Sequence, residues 1–279
     1  MRKLLTIFSV LFVLLLAACG GDAEEDLTGK DDGMTELVIG ATSVPHAEIL
    51  EEAKPLLEEK GITLTIEEYQ DYVLPNDDLA NRELDANYFQ HIPHLEDTVA
   101  ETGYDLDYIA GIHIEPMGVY SKDIAHLDDI ADGTEVVLSH SVADHGRVLA
   151  LFEEAGLITL DDSVEKSAAT IDDIVDNPKN LTFSADYEAA FLPELYNTED
   201  NVLVAINTNY AIEAGLNPLE DALFIEGEDS PYVNVMAVRA EDKDNEALNT
   251  LVDVLHSETI QDFIHKTYDG AVVPVGGAE

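Results

Sequence analysis

The chain has 279 residues and carries 13 Lys and Arg against 59 Asp and Glu, a formal net charge of −46. A surface this acidic repels nucleic acid and anionic lipid, while an apolar content of 46% excludes a disordered acidic protein. The acids run through the whole sequence, as in a halophile's folded protein whose self-repulsion is screened within about 3 Å at 1 M salt, with an alkaline habitat as the alternative.

Arg2 and Lys3 precede an almost unbroken apolar run, Leu4 to Ala18, which ends in Leu16-Ala17-Ala18-Cys19-Gly20. A charged start, a short apolar stretch and small residues before a cleavage point read as a secretory signal over residues 1–18. The run is shorter than the roughly 20 residues that a spanning helix needs. The four positions resemble the lipobox of bacterial lipoproteins, in which the cysteine is lipidated and becomes the mature N-terminus. Cys19 is the single cysteine of the chain, so the resemblance implies a lipid anchor on the extracytoplasmic face of the cell membrane. It also leaves no thiol for a Cys/His catalytic pair. Residues 19–35, rich in Gly and Asp without an apolar period, read as a flexible tether.

Folding is expected to start at Leu37. LVIGAT reads as a buried strand, and Pro45 to Lys60 as a helix with Ile49, Ala53, Leu56 and Leu57 on one face, closed by Gly61. ITLTIEEY reads as a strand, PNDDLANREL as a short helix, DANYF as the start of a strand, IPHLEDTVAETG as a helix and YDLDYIAGIHI as a strand. The pattern then restarts. EVVLSH reads as a strand and HGRVLALFEEAG as a helix closed by Gly156. Ile171 to Asp176 reads as a short helix, LTFSA as a strand, EAAFLPELY as a helix, and NVLVAINTNYAIEAG as a strand running into a helix. SPYVNVMAVRA reads as a long strand before two amphipathic helices, DNEALNTLVDVLHS and ETIQDFIHKTY. This alternation predicts an α/β fold with a largely parallel sheet. Two successive units without a linker of Pro or Ser suggest two lobes joined by extended strands, with ligand in the cleft between them.

The stretches GATSVPHAEILEEAKPLLEEKGI, YQDYVLPNDDLANRELDANYFQHIPHL, EPMGVYSK, INTNYAIEAGLNP and DSPYVNVMAVR resemble, in order and over residues 36–275, the methionine-binding lipoproteins of ABC importers (the NlpA/MetQ type). The resemblance implies a two-lobed periplasmic-binding-protein fold of type II, with residues 36–118 plus 235–279 in one lobe and 119–234 in the other. It implies a protein that captures methionine and hands it to a membrane permease and its ATPase. Another small apolar amino acid or short peptide, or a surface lipoprotein without transport, are the alternatives.

An amino acid needs a cation for its carboxylate, acceptors for its ammonium, and an apolar slot for a thioether. The chain has four arginines. Arg2 leaves with the signal, Arg82 sits in a polar helix, Arg239 follows the long strand, and Arg147 follows Gly146 near the start of a helix. The resemblance gives Arg147 the ligand carboxylate, and Asn207 and Asn234 the hydrogen bonds to the amino-acid backbone. Tyr72, Phe89 and His91 match the family's side-chain pocket, where His91 is a candidate donor to the sulfur. The sequence departs from the family at His94, usually Tyr, and at Ser139-His140-Ser141, usually Pro-Asn-Asp, both close to the ligand.

His91, His94, His140 and His145 invite a metal reading. Pro93 separates the first pair, no His-rich acidic loop accompanies them, and neither metal nor cofactor is expected. There is no Gly-x-Ser-x-Gly elbow and no phosphate loop, so an enzyme is not expected either.

Overall fold

A computed structural model describes residues 30–31, 34–227 and 230–276. The leader and Cys19 lie outside the described residues. From the N-terminus run β1 (Lys30–Asp31), β2 (Met34–Thr42), α1 (Glu48–Glu58), β3 (Ile62–Tyr69), α2 (Leu74–Ala80), β4 (Ala86–His91), α3 (Ile92–Thr102) and β5 (Leu106–Ile114). There follow β6 (Gly118–Tyr120), β7 (Glu135–Ser139), α4 (Val142–Glu154), β8 (Thr159–Leu160), β9 (Ile174–Asp176), β10 (Thr182–Tyr187), α5 (Leu192–Thr198), β11 (Leu203–Ile206), α6 (Thr208–Glu213), α7 (Pro218–Asp221) and β12 (Phe224–Ile225). The chain closes with β13 (Val233–Arg239), α8 (Glu246–Leu255), α9 (Glu258–Tyr268) and β14 (Val273–Pro274).

Two sheets organise these elements into two lobes. The first has the order β1-β2-β4-β13-β5-β14, with β3 on the other side of β2. The second has the order β10-β7-β11-β6-β12 and takes its strands from residues 118–225. Both are mixed rather than largely parallel. β2 runs parallel to β3 and β4, but β13 runs antiparallel to both β4 and β5. In the second sheet β7 is parallel to β10 and β11, while β6 is antiparallel to β11. The reason is connectivity: β13 enters the first sheet coming back from the second, and β6 enters the second coming out of the first. β13 starts at Val233, so Asn234 belongs to the first sheet.

Period-2 alternation puts helices on both faces of each sheet. Val136 and Leu138 pack with Phe152 and Leu149 on one face of β7, and Val137 packs with Leu192 and Tyr210 on the other. In the first lobe Leu37 and Ile39 face Leu50, Leu57 and Ile264, whereas Leu79, Leu84 and Val235 form the opposite layer. The apolar stripes of the last helices, Leu248, Leu251, Val252 and Leu255 in α8 and Ile260, Ile264 and Tyr268 in α9, are buried against β2 and α1. Complete burial of such a side chain contributes roughly 1.5–3 kcal/mol. Asn245 caps α8, its Oδ1 accepting from Ala247 and Leu248 N–H.

Gly61 and Gly156, expected to end helices, sit at φ +79° and +72°, the left-handed region where a Cβ is costly. Two expectations are corrected. Residues 171–176 form a single 3-10 turn, Ile171–Asp173, followed by β9, which pairs with β8; six residues with exposed Ile171 and Val175 offer no face for a helix to bury. The stretch read as tether contains a two-residue ladder, Lys30 with Thr35 and Asp31 with Met34, and β2 begins at Met34 because its backbone pairs with β3 from Thr35 onward.

Candidate functional site

A cavity lies where the two lobes meet, and with the open space at its mouth included it holds about 390 Å³. It is lined by Tyr72, Phe89, Gln90, His91, His94, Glu115, Asp144, Arg147, Asn207, Thr208, Asn209 and Asn234. All seven pocket residues singled out in the sequence are among these. The first lobe supplies the end of β4, the first turn of α3 and the start of β13. The second supplies α4, which carries Asp144 and Arg147 three residues apart on one face, and the junction of β11 with α6. Strand ends meeting helix starts leave backbone and side-chain polar groups pointing into the cleft.

Arg147, which the sequence places near the start of a helix, is a buried residue. It lies in the second turn of α4 and is 5% exposed. Its Nε and Nη2 donate to Glu226 Oε2 at 3.0 and 2.5 Å, and Nη2 also donates to the Glu115 carbonyl at 2.6 Å. The guanidinium lies 4.5 Å from the Tyr232 ring centre. Nη1 has no hydrogen-bond partner among the described residues. Glu115 and Glu226 belong to the two segments that join the lobes, 115–117 and 226–232, so this side chain ties both crossings together. The other arginines point elsewhere: Arg82 pairs with Glu241, and Arg239 holds Asp242 and the carbonyls of Leu79 and Leu84.

Two buried carboxylates that the sequence reading missed face the cavity. Asp144 accepts from His91 Nε2 at 3.1 Å, Asn207 Nδ2 at 3.1 Å and Ser139 Oγ at 3.5 Å. Burial opposes its ionisation, but the hydrogen bond from His91, with Arg147 and Asn207, outweighs burial and holds its pKa well below the usual carboxylate value. Glu115 Oε1 sits 3.1 Å from His46 Nε2 and 2.7 Å from His113 Nε2, and its Oε2 accepts from Asn209 N–H at 3.0 Å. Burial again opposes ionisation, and His46, His113 and Arg147 together lower its pKa. Thr42 Oγ1 lies 2.7 Å from His46 Nδ1, and the Tyr88 hydroxyl bonds His113 Nδ1. Both imidazoles therefore carry their proton on Nε2 and turn it to the carboxylate. His46, His113 and Glu115 have metal-ligand spacing, with ligand atoms within 4.8 Å, yet each contact among them is accounted for by these hydrogen bonds. The histidines weighed in the sequence do not converge on one point: His91 is committed to Asp144, His94 to Gln90 and His145 to the Ser139 carbonyl, and His140 is exposed. His91 also caps α3, its Nδ1 accepting from His94 N–H at 3.2 Å, so its one N–H goes to Asp144 and not to a ligand sulfur.

The other end of the cavity is aromatic. The Tyr72 ring lies 5.9 Å from Phe89, 6.0 Å from His94 and 5.1 Å from Tyr210. Bonds across the cleft hold the lobes together: Tyr72 Oη donates to Asn209 Oδ1 at 2.6 Å, Tyr210 Oη to the Gln70 carbonyl at 3.1 Å, and His91 to Asp144. Two buried polar atoms of the lining have no partner among the described residues, the acceptor Asn207 Oδ1 and the donor Asn209 Nδ2. Unpaired buried polar atoms are rare and call for an explanation.

The histidines set a pH dependence. Burial pushes the pKa of His46 down to about 4, and burial beside His91 does the same to His94. Between pH 6.5 and about 4 the unfolded chain takes up protons that the folded chain refuses. Stability therefore falls as pH drops through that window, by up to about 3 kcal/mol per histidine. Below it, protonation of Asp144 and Glu115 removes more. In molar potassium chloride, where repulsion among surface acids is screened, the melting temperature should fall from pH 7 to pH 5. A melting temperature that holds or rises over that interval would contradict the burial of these two rings as neutral groups.

Among the described residues no helix is long and apolar enough to cross a membrane. The sequence profile of the NlpA lipoprotein family matches residues 37–276. A curated relative, the methionine-binding lipoprotein MetQ of Bacillus subtilis, is 46% identical over 282 aligned positions, covering 99% of both chains. A crystal structure of a putative methionine-binding lipoprotein from Bacillus subtilis is 48% identical, superposes with a TM-score of 0.84, and covers 86% of this chain and 98% of the other. A nutrient-binding protein of Burkholderia cenocepacia, solved bound to methionine, is 35% identical with a TM-score of 0.81, covering 86% of this chain and all of its own. The two lobes and a match over nearly the whole described chain lead to one conclusion: the protein belongs to the NlpA lipoprotein family.

Proposed function

We propose that this chain is the extracytoplasmic solute-binding protein of an ABC importer, tethered through a lipidated Cys19, and that it captures methionine between its lobes for delivery to the permease. One observation carries this reading. One cavity combines the Arg147 guanidinium, two ionised carboxylates, an unpaired acceptor and donor at Asn207 and Asn209, and an aromatic end. A zwitterion satisfies that set. Arg147 Nη1 and Asn209 Nδ2 would donate to its carboxylate, and Asn207 Oδ1, Asp144 and Glu115 would accept from its ammonium. The thioether would lie against Tyr72 and Phe89, where sulfur–aromatic contacts contribute about 0.3–1.5 kcal/mol. Asn234 would act from the β13 side, held by His46 Nε2 at 3.2 Å. The lobes would open by bending at the two crossings, 115–117 and 226–232.

Calorimetric titration of the purified chain tests this. Methionine should saturate one site, and at 100 times Kd should stabilise the fold by about 2.7 kcal/mol. Methionine giving neither heat nor a melting shift, while another apolar amino acid or a short peptide gives both, would overturn the choice of ligand.

A further inference from the structure

The polarity of His94 is set by a chain of buried amides that starts at a backbone carbonyl. The Pro75 carbonyl can only accept, so the Asn87 nitrogen that lies 3.0 Å from it must be Nδ2. Asn87 Nδ2 also meets an oxygen of Asn76 at 2.9 Å, which fixes Asn76 Oδ1 there and turns Asn76 Nδ2 toward Gln90, 2.9 Å from its Oε1. Gln90 Nε2 then faces Asn76 Oδ1 at 2.7 Å and Asn87 Oδ1 at 2.9 Å. Gln90 Oε1 is left facing His94 Nδ1 at 3.0 Å. That oxygen cannot donate, so Nδ1 must carry the ring proton. Amide orientations are often ambiguous, but this relay has a fixed end, and reversing any member would set two donors or two acceptors against each other.

The consequence lies at the other ring nitrogen. Nε2 of His94 has no partner among the described residues, and the ring forms the wall shared by the inner cavity and the cleft mouth. It stands beside Tyr72 and Phe89 at the aromatic end. We propose that His94 is the specificity-determining residue for the ligand's side-chain tip: held as the Nδ1–H tautomer, it offers that tip an acceptor and no donor, and so selects against side chains that end in a hydrogen-bond acceptor. Resting on the methionine reading, this means that the site takes the reduced thioether and rejects methionine sulfoxide. The sulfoxide oxygen is a strong acceptor, and here it would be desolvated against a lone pair. A tyrosine at the same place would present a hydroxyl able to donate to it. The ring is neutral under ordinary conditions, because burial pushes its pKa to about 4, so no second proton supplies the missing donor.

The experiment titrates the purified chain, His94→Tyr and His94→Phe with L-methionine and L-methionine sulfoxide, and reads the imidazole tautomer from the ring nitrogen shifts of the labelled parent. The parent should bind the sulfoxide at least about tenfold more weakly than methionine, the effect of one buried acceptor left without a donor. His94→Tyr should close that gap to within about threefold, chiefly by improving sulfoxide binding, and His94→Phe should fall between. The nitrogen shifts should place the proton on Nδ1. Discrimination unchanged in His94→Tyr, or a proton found on Nε2, overturns the proposal while leaving methionine capture intact. A parent that binds neither compound overturns the methionine reading, and the proposal with it.

Discussion

Arg147→Ala is expected to abolish tight capture of the ligand and also to lower the melting temperature of the ligand-free protein. A solvated arginine would contribute little to folding, but this one is buried with its partner, the side chains of Arg147 and Glu226 being 4% and 14% exposed. Removing the guanidinium leaves the Glu226 carboxylate with Met117 N–H at 3.2 Å and Ser230 Oγ at 2.9 Å as its remaining donors. Breaking one side of a buried pair costs about 3–5 kcal/mol. The same change removes the cation assigned to the ligand, a charge-assisted bond worth about 1.5–3 kcal/mol, or roughly ten- to more than a hundredfold in Kd. The two effects separate in the double variant Arg147→Ala with Glu226→Ala. Most of the thermal stability should return, because no buried charge is left unpaired, while the loss of affinity should persist. Calorimetric titration and thermal melts read both. Should Arg147→Ala bind methionine as the parent does, the carboxylate clamp is misassigned.

Gly146→Ala should also destabilise the protein, for a reason that involves no charge. α4 passes so close to the turn at residues 166–168 that a Cβ on Gly146 would stand 2.4 Å from the Ser167 carbonyl oxygen and 2.5 Å from that of Lys166. Both are backbone atoms, so no rotamer relieves the clash, and the helix or the turn must back away. Alanine gains about 1 kcal/mol of helix propensity over glycine, whereas overpacking of this kind costs about 1–3 kcal/mol and sometimes more. The clash should win, with the melting temperature falling by about 2–4 °C per kcal/mol in a chain of this size. Affinity should fall with it, because Asp144 and Arg147 ride on the same helix. A variant that melts at or above the parent's temperature would show that α4 and the turn part without cost.

The cavity lining was legible only where residue type was informative. With four arginines in the chain and a resemblance to place them, Arg147 stood out, as did the two asparagines and the aromatic group. Asp144 and Glu115 did not, because among 59 acids a carboxylate carries no signal until its burial is known. The clues were present in EPMGVY and in the spacing of Asp144 and Arg147, but reading them required knowing which helix face looked inward. Long elements with a clear period, such as ITLTIEEY and the last two helices, could be read to within a few residues. Strands of two or three residues, β6, β8 and β12, have no period to read. Strand direction escaped too, since a local pattern does not say whether the chain arrives from the same lobe or the other one.

The insertion of the second sheet within the first has a consequence for how the chain matures. Residues 118–225 hold every strand of the second sheet, so that lobe can be completed as soon as its own segment is free. The first sheet cannot: β4 and β5 are joined only through β13, whose residues follow β4 by more than a hundred positions. A chain released from its N-terminus onward therefore holds two unpaired strand edges until β13 arrives, and such long-range closure is intrinsically slow. Because β13 carries Asn234 and closes the second crossing, the cleft is assembled by the last long strand to emerge. A half-made molecule has no pocket, and competence to seize a solute appears only when the fold is finished.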